Sequence, residues 1–221
     1  MEHGRLLSSL PLEERDAILK VATRQELRAG EVLFRADDRP AHVYFPISGM
    51  LAVSEETGKG DRRITALIDS RGFANFTFAL PEPVSAQMDT WAVLDTPLYA
   101  VPVDSARQLA SQLPALAAAL LGYLGWTTRR MSDYLRISAD YGVKERAAAT
   151  LLEFAQMLGG NAVPVPQKVL ADRIGARRET VAVALGQLRE DRVVRTRYRK
   201  VLINNLDLLR AAAGGAAWRL E

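Results

Sequence analysis

The hydrophobic pattern changes period once, near Asp104, and that change divides the chain before any motif is read. Upstream, the short apolar runs Val32-Leu33-Phe34, His42–Phe45, Met50–Val53, Ile64–Ile68 and Thr90–Leu94 alternate with turn formers. The turns are Asp37-Asp38-Arg39-Pro40, Thr57-Gly58-Lys59-Gly60-Asp61, Arg71-Gly72 and Pro81-Glu82-Pro83. Glycine and proline stop a pleated strand. Leu27 to Val103 therefore reads as a small antiparallel barrel or roll, preceded by a short helix over Leu12–Ala22. Downstream, no proline interrupts the run from Pro114 to about Ser138. Within it Leu116, Leu120, Tyr123 or Leu124, Thr127, Met131 and Tyr134 or Leu135 recur every three or four residues, the spacing of one helix face. Such a stripe can pack on the barrel or pair with a second copy of itself, although Thr127 and Arg130 interrupt the seam. Taken alone, the stripe is expected to pack on its own domain.

Ser138-Ala139-Asp140-Tyr141-Gly142 breaks the long helix and offers a hinge. A second helix over Lys144–Leu158 stops at Gly159-Gly160-Asn161, and Pro164-Val165-Pro166 imposes extended chain. Two helices that cross closely need a small residue at the crossing, a residue tolerant of a tight turn, and apolar positions between them. In residues 167–203, Ala171 supplies the first, Gly175 the second, and Leu170, Ile174, Val181, Ala184, Leu185 and Leu188 the third. The second helix runs from about Arg177 to Arg189, with Arg177, Arg178, Glu179 and Thr180 in its first turn. Two alternating runs, Val193–Arg197 and Val201–Ile203, flank Tyr198-Arg199-Lys200 and make a basic hairpin carrying Arg195, Arg197, Arg199 and Lys200. An ordinary helical hairpin followed by a β-hairpin shares this pattern. The basic residues at the helix tip and on the hairpin favour a winged helix-turn-helix on double-stranded DNA.

Charge agrees with that reading. The chain carries a net charge of +3, but from Lys144 onward 14 Lys/Arg face 8 Asp/Glu, whereas the first 143 residues carry a net −3. A basic segment neutralises phosphates, the main source of sequence-independent DNA affinity, although a solvated charged face gives the same count. With no cysteine among 221 residues, disulfides, thiolate zinc sites and cysteine-held iron–sulfur clusters are excluded. The two histidines, His3 and His42, are read as a terminal residue and a strand-start residue rather than haem ligands, and no metal or cofactor is expected. No Ser/His/Asp order, metal-ligand cluster or phosphate loop supports an enzyme. No apolar run reaches the length of a membrane span, and the N-terminus lacks the apolar core of a secretion signal, so a cytoplasmic location is expected.

The 167–203 segment resembles the DNA-binding unit of the cyclic-AMP receptor protein and fumarate–nitrate regulator (CRP/FNR) family. That family's recognition helix begins Arg-Glu-Thr-Val, here Arg178, Glu179, Thr180 and Val181. His42-Val43-Tyr44-Phe45-Pro46-Ile47-Ser48-Gly49 resembles its early β-roll signature, the long helix its dimer helix, and Val143–Ala155 the first helix of its C-terminal domain. The resemblance implies an α+β fold in three parts: a cyclic-nucleotide-binding-like β-roll over 1–112, a dimerisation helix over 113–139, and a winged helix-turn-helix over 143–221. It implies a homodimeric regulator that binds duplex DNA and, if an activator, also contacts RNA polymerase. A change in the sensor would rotate the hinge and alter the spacing of two recognition helices. Arg178 would donate two hydrogen bonds to a guanine edge and Glu179 would accept from cytosine. Gln167, Lys168, Arg177, Thr180, Arg195, Arg197, Arg199 and Lys200 would hold phosphates.

Three positions depart from that family. Arg177 replaces the usual serine or threonine cap, and Val183 replaces a polar base reader. In the β-roll, cyclic-nucleotide members place a glutamate after a glycine to take the ribose and an Arg-Ser-Ala to take the phosphate. Here Gly72 is followed by Phe73, and Val84 precedes Ser85 and Ala86. A phosphate buried against valine keeps an unpaired charge. Cyclic AMP is therefore not expected in its usual pose, and the effector is unknown or absent. The residues left to meet one are Asn75, Phe76, Val84, Ser85, Ala86, Thr127, Thr128 and Ser132. Phe73, Phe78 and Trp91 could line an apolar pocket but suit a plain core as well. The competing reading is a cyclic-nucleotide-responsive receptor with a non-standard phosphate site.

Overall fold

The computed structural model describes residues 3–56, 61–80 and 84–217. The expected turns at Thr57–Gly60 and Pro81–Pro83 lie outside the described residues. The chain divides into two compact units, residues 1–55 with 66–129, and residues 56–65 with 130–221.

The first unit opens with α1 (Arg5–Ser8) and α2 (Leu12–Val21). Among the described residues the strands that follow are β1 (Thr23–Leu27), β2 (Val32–Phe34), β3 (His42–Pro46), β4 (Met50–Glu56), β5 (Arg62–Ile68), β6 (Asp89–Leu94) and β7 (Thr96–Pro102), of which β5 belongs to this unit only from Ala66 on. They form two sheets, ordered β1-β7-β3 and β2-β6-β4-β5, in which β1 and β3 pair antiparallel with β7, and β2 and β4 antiparallel with β6. Register pairs Val43 with Val101 and Phe45 with Tyr99 in one sheet, and Ala52 with Trp91 in the other. Val43, Phe45, Leu51, Ala92, Leu98 and Val101 are buried together. The Trp91 indole donates to Ser54 Oγ at 3.0 Å, so this buried ring has its polar partner inside the fold. α3 (Val103–Gln112) leads into α4 (Pro114–Asp140), whose Leu116, Leu120 and Tyr123 join this core. α4 runs 27 residues, past the expected break at Ser138, before Tyr141 and Gly142 interrupt it.

In the second unit α5 (Val143–Leu158) closes on Gly159 in the left-handed region. β8 (Ala162–Val163), α6 (Gln167–Ile174), α7 (Arg178–Glu190), β9 (Val194–Arg197), β10 (Lys200–Ile203) and α8 (Leu206–Ala213) follow. The small sheet is ordered β8-β10-β9. α8 starts on Asn205, whose side chain accepts from the backbone amides of Asp207 and Leu208 at 2.8 and 3.0 Å. Leu170, Ile174, Val181, Ala184, Leu185 and Leu188 are all buried, as the spacing of apolar residues predicts. Ala171 of α6 is buried, as expected for the small residue, and Gly175, at φ +70°, turns the chain before α7.

A charged cluster also lies inside this unit. Glu153 of α5 is buried between Arg173 of α6, whose Nε and Nη2 donate at 3.0 and 2.9 Å, and Arg130 of α4. Arg173 Nη1 donates to the backbone carbonyl of Thr65 at 2.8 Å, and its guanidinium lies 4.5 Å from the Tyr134 ring centroid. Burial by itself pushes the Glu153 carboxyl up. The two guanidinium groups outweigh it and hold the group below its ordinary value.

Candidate nucleic-acid interface

α7 buries Val181, Ala184, Leu185 and Leu188 against the unit and turns the opposite face outward. Arg177 is its N-cap, at φ −64° and ψ 147°, with no side-chain cap bond. All three side chains of the first turn, Arg178, Glu179 and Thr180, are exposed. Val183 is 62% exposed and stands one turn beyond Glu179 on the same face. An uncapped N-terminus leaves amide donors at the tip, where the helix dipole also favours an anion.

β9 and β10 pair Lys200 with Arg197 across a loop of two residues, Tyr198-Arg199. Arg199 adopts φ +50°, a conformation that costs a non-glycine residue about 1 kcal/mol. Tyr198 is 90% exposed at the apex; the expected contact set did not include it, although an aromatic between two arginines marked the place. Between hairpin and helix tip lies a groove of about 260 Å³ lined by Gln167, Arg178, Arg197, Arg199 and Lys200. Five expected contact residues from three separate stretches of sequence thus meet at one surface. Arg195, opposite Leu202 on β9, is exposed but does not line the groove.

Lys168, Arg177, Arg178 and Glu179 line a second hollow of about 940 Å³, to which Arg62 and Arg63 add cations the sequence reading did not foresee. Lys168 Nζ lies 3.1 Å from Asp172 Oδ1, one turn along α6. Burial pushes the Asp172 carboxyl up against the opposing pull of Lys168. Not every cation of the basic segment is left for a phosphate. Arg173 is buried on Glu153, and Lys144 and Arg210 pair with Asp191 and Asp207.

The residues considered for an effector lie differently. Asn75, at φ +73°, donates through Nδ2 to the carbonyls of His42 at 2.8 Å and Pro40 at 3.2 Å, and accepts from Thr77 Oγ1 at 2.6 Å. Phe76 packs edge-on against Phe73 at 5.1 Å. Ala86 is held to the 37–38 turn through both backbone groups, Ser85 is half-buried and Val84 is exposed. The hydroxyls of Thr127 and Thr128 both donate to the Leu124 carbonyl, at 2.8 and 2.9 Å, and Ser132 is exposed. The Tyr123 ring lies so close to Gly72 that a Cβ there would overlap it, and it packs 5.3 Å from Phe73. Among the described residues, no group of three or more His, Cys, Asp or Glu is placed to hold a metal, and no single helix is long and apolar enough to cross a membrane.

Residues 145–212 match the Crp-like helix-turn-helix domain and residues 24–112 the cyclic nucleotide-binding domain. The transcriptional activator protein anr of Pseudomonas aeruginosa is 25% identical over 221 aligned residues, 94% of this chain and 87% of that protein. The CRP-like cAMP-activated global transcriptional regulator of Mycobacterium tuberculosis is also 25% identical, over 87% of this chain and 89% of its own. The solved structure of FixK2 from Bradyrhizobium japonicum shares the fold, with a TM-score of 0.76 at 22% identity, covering 88% of this chain and 98% of that one.

Proposed function

Because the chain belongs to the CRP/FNR family of DNA-binding transcription regulators, which are not enzymes, we propose that it reads an inverted-repeat operator as a homodimer and does so without cyclic AMP in the usual pose. The groove that brings Gln167, Arg178, Arg197, Arg199 and Lys200 to one exposed surface carries the reading. Arg178, Glu179 and Val183 face base edges, while Gln167, Lys168, Arg177, Thr180 and the wing cations Arg195, Arg197, Arg199 and Lys200 take phosphates. Residues 1–112 act as the sensor-like domain, 113–139 as the dimer helix and 143–221 as the DNA-binding part. The protein works in the cytoplasm and contacts RNA polymerase if it activates.

Two observations support the finer parts. On α4 the residues Ala117, Leu121, Leu124, Thr128, Met131 and Leu135 follow each other at alternating steps of four and three, a heptad seam, with Leu121 69% and Leu135 62% exposed. A second α4 would bury these leucines. The case against cyclic AMP rests on Val84, which offers a phosphate no cation, and on Tyr123, which packs on Gly72 among Phe73 and Phe76.

Selection of bound sequences from random duplexes, combined with sedimentation, tests this. We expect a dimer and two inverted half-sites one helical turn, ~34 Å, apart. Replacing Arg197, Arg199 and Lys200 by alanine should weaken all sequences alike and flatten the log–log salt slope by roughly 3, at about 0.9 per phosphate contact. Monomer alone at micromolar concentration with and without DNA, or a triple variant with altered preference and an unchanged slope, would overturn the reading.

A further inference from the structure

A further cavity, of about 330 Å³, lies on the first unit; it borders the Gly72 region through Tyr123 and is lined by none of the eight residues considered for an effector. Its wall is aromatic: the rings of Tyr123 and Trp126 stack at 5.7 Å between centroids, 21° from parallel. Its rim is cationic, with Arg5 on α1 and Arg71 from the turn after β5. Arg71 Nε donates to Asp69 Oδ2 at 2.8 Å, which fixes the guanidinium, and its Cζ lies 5.7 Å from the Trp126 ring centroid. Asp69 also accepts from the Arg71 backbone amide at 3.0 Å, so one carboxylate orients the whole turn. Arg5 has no acidic partner among the described residues, leaving one positive charge at the cavity uncompensated. α1 is pinned there, because Leu6 N donates to Ser70 O at 2.8 Å. Ser9 Oγ gives its proton to Leu6 O and keeps lone pairs for an incoming donor. Ala119 also lines the cavity.

We infer that this cavity is a ligand site for a planar aromatic ring bearing one carboxylate or phosphate. The ring would lie along the Tyr123–Trp126 wall and the anion would sit between Arg5 and Arg71. Aromatic walls recognise flat π-systems, and a guanidinium already held by a carboxylate presents its remaining donors at little entropic cost. The volume falls at the low end of the range for small-molecule sites. At about 100° per residue, Trp126 lies roughly opposite the Leu121–Leu124 seam on α4, so the cavity stays open in the dimer proposed above. Only that accessibility rests on the dimer reading. Binding itself is measured without DNA, so each can fail without the other.

The test is calorimetry on the full chain with salicylate, anthranilate and adenosine 5′-monophosphate, using benzamide and adenosine as uncharged controls. At least one acid should bind more tightly than about 1 mM. Its uncharged counterpart should not bind. Arg5→Ala, at an exposed position, should weaken the acid at least tenfold. Trp126→Phe keeps a ring, so it should retain most of the affinity while removing the ligand-induced change in tryptophan fluorescence. The inference is overturned if none of the three acids binds below about 1 mM. It is equally overturned if Arg5→Ala leaves affinity unchanged, or if the fluorescence response survives in Trp126→Phe.

Discussion

The tip of α7 with its hairpin and the Gly72–Ala86 region of the β-roll are the two places where function is expected, and they treat polar groups in opposite ways. At the tip Arg178, Glu179 and Thr180 project into solvent from a helix start with no side-chain cap. In the roll Asn75 uses both ends of its amide on Pro40, His42 and Thr77, and Tyr123 packs against Gly72. A surface that binds a partner keeps its donors outward. In the roll the donors of Asn75 are taken up by the fold itself.

The largest effect tests whether this contrast follows surfaces rather than units, since the second unit also holds charges turned wholly inward. Arg173→Leu leaves Glu153 buried with Arg130 as its remaining cation and should cost about 3–5 kcal/mol, read from urea unfolding. Replacing Arg130, Glu153 and Arg173 together by apolar residues should cost less than the single change. The pH dependence carries a sign. Glu153 is held below its unfolded value of about 4.3, so its contribution is present above that pH and is lost as pH falls through the folded value. A single variant as stable as the parent would show that the cluster does not hold the second unit.

Asn75 gives the intermediate effect. Asn75→Ala removes two donors from the carbonyls of Pro40 and His42 and places alanine at φ +73°. It should cost roughly 2–3 kcal/mol in thermal unfolding, whatever ligand is added. The contrast would break if calorimetry gave cyclic AMP a low-micromolar dissociation constant, or if Asn75→Ala left stability alone and changed a ligand's affinity.

The smallest effect sharpens the other side. Valine at 183 has no hydrogen-bond donor but can touch a thymine methyl. The base pair it faces should be degenerate or favour thymine, and Val183→Arg should install a guanine preference there worth ~1–3 kcal/mol. Site selection with both proteins checks it. A sharp guanine in the parent's site would mean that α7 docks in another register.

What the sequence disclosed follows the range of the forces involved. The buried set of α6 and α7 was legible because two short amphipathic helices repeat their pattern within a few turns. β1, Thr-Arg-Gln-Glu-Leu, was not, because only Leu27 is buried and the strand exists through its register with β7, from Thr23–Ala100 to Leu27–Thr96. On α4 one stripe was expected where the structure has two. Leu116, Leu120 and Tyr123 turn to the core while Leu121, Met131 and Leu135 stay exposed, because apolar residues cover more than one face of the helix. The helix tip with Arg178 and the basic wing were legible in the pattern of residues 167–203, their individual contact roles and that of Gln167 came from the resemblance, and the fold brought them together. The Glu153–Arg173 pairing, 20 residues apart, and the Asn75 bonds, 33 and 35 residues away, leave no periodic trace.

The loop of the wing sets fold and grip against each other at one residue. Arg199 occupies a left-handed backbone conformation in which glycine is the relaxed choice, and glycine has no charge. Substitutions that drift toward glycine there would make the hairpin easier to form and, on the proposed assignment, weaken its hold on a phosphate. Selection for operator affinity would keep the arginine, whereas selection for thermal stability alone would remove it.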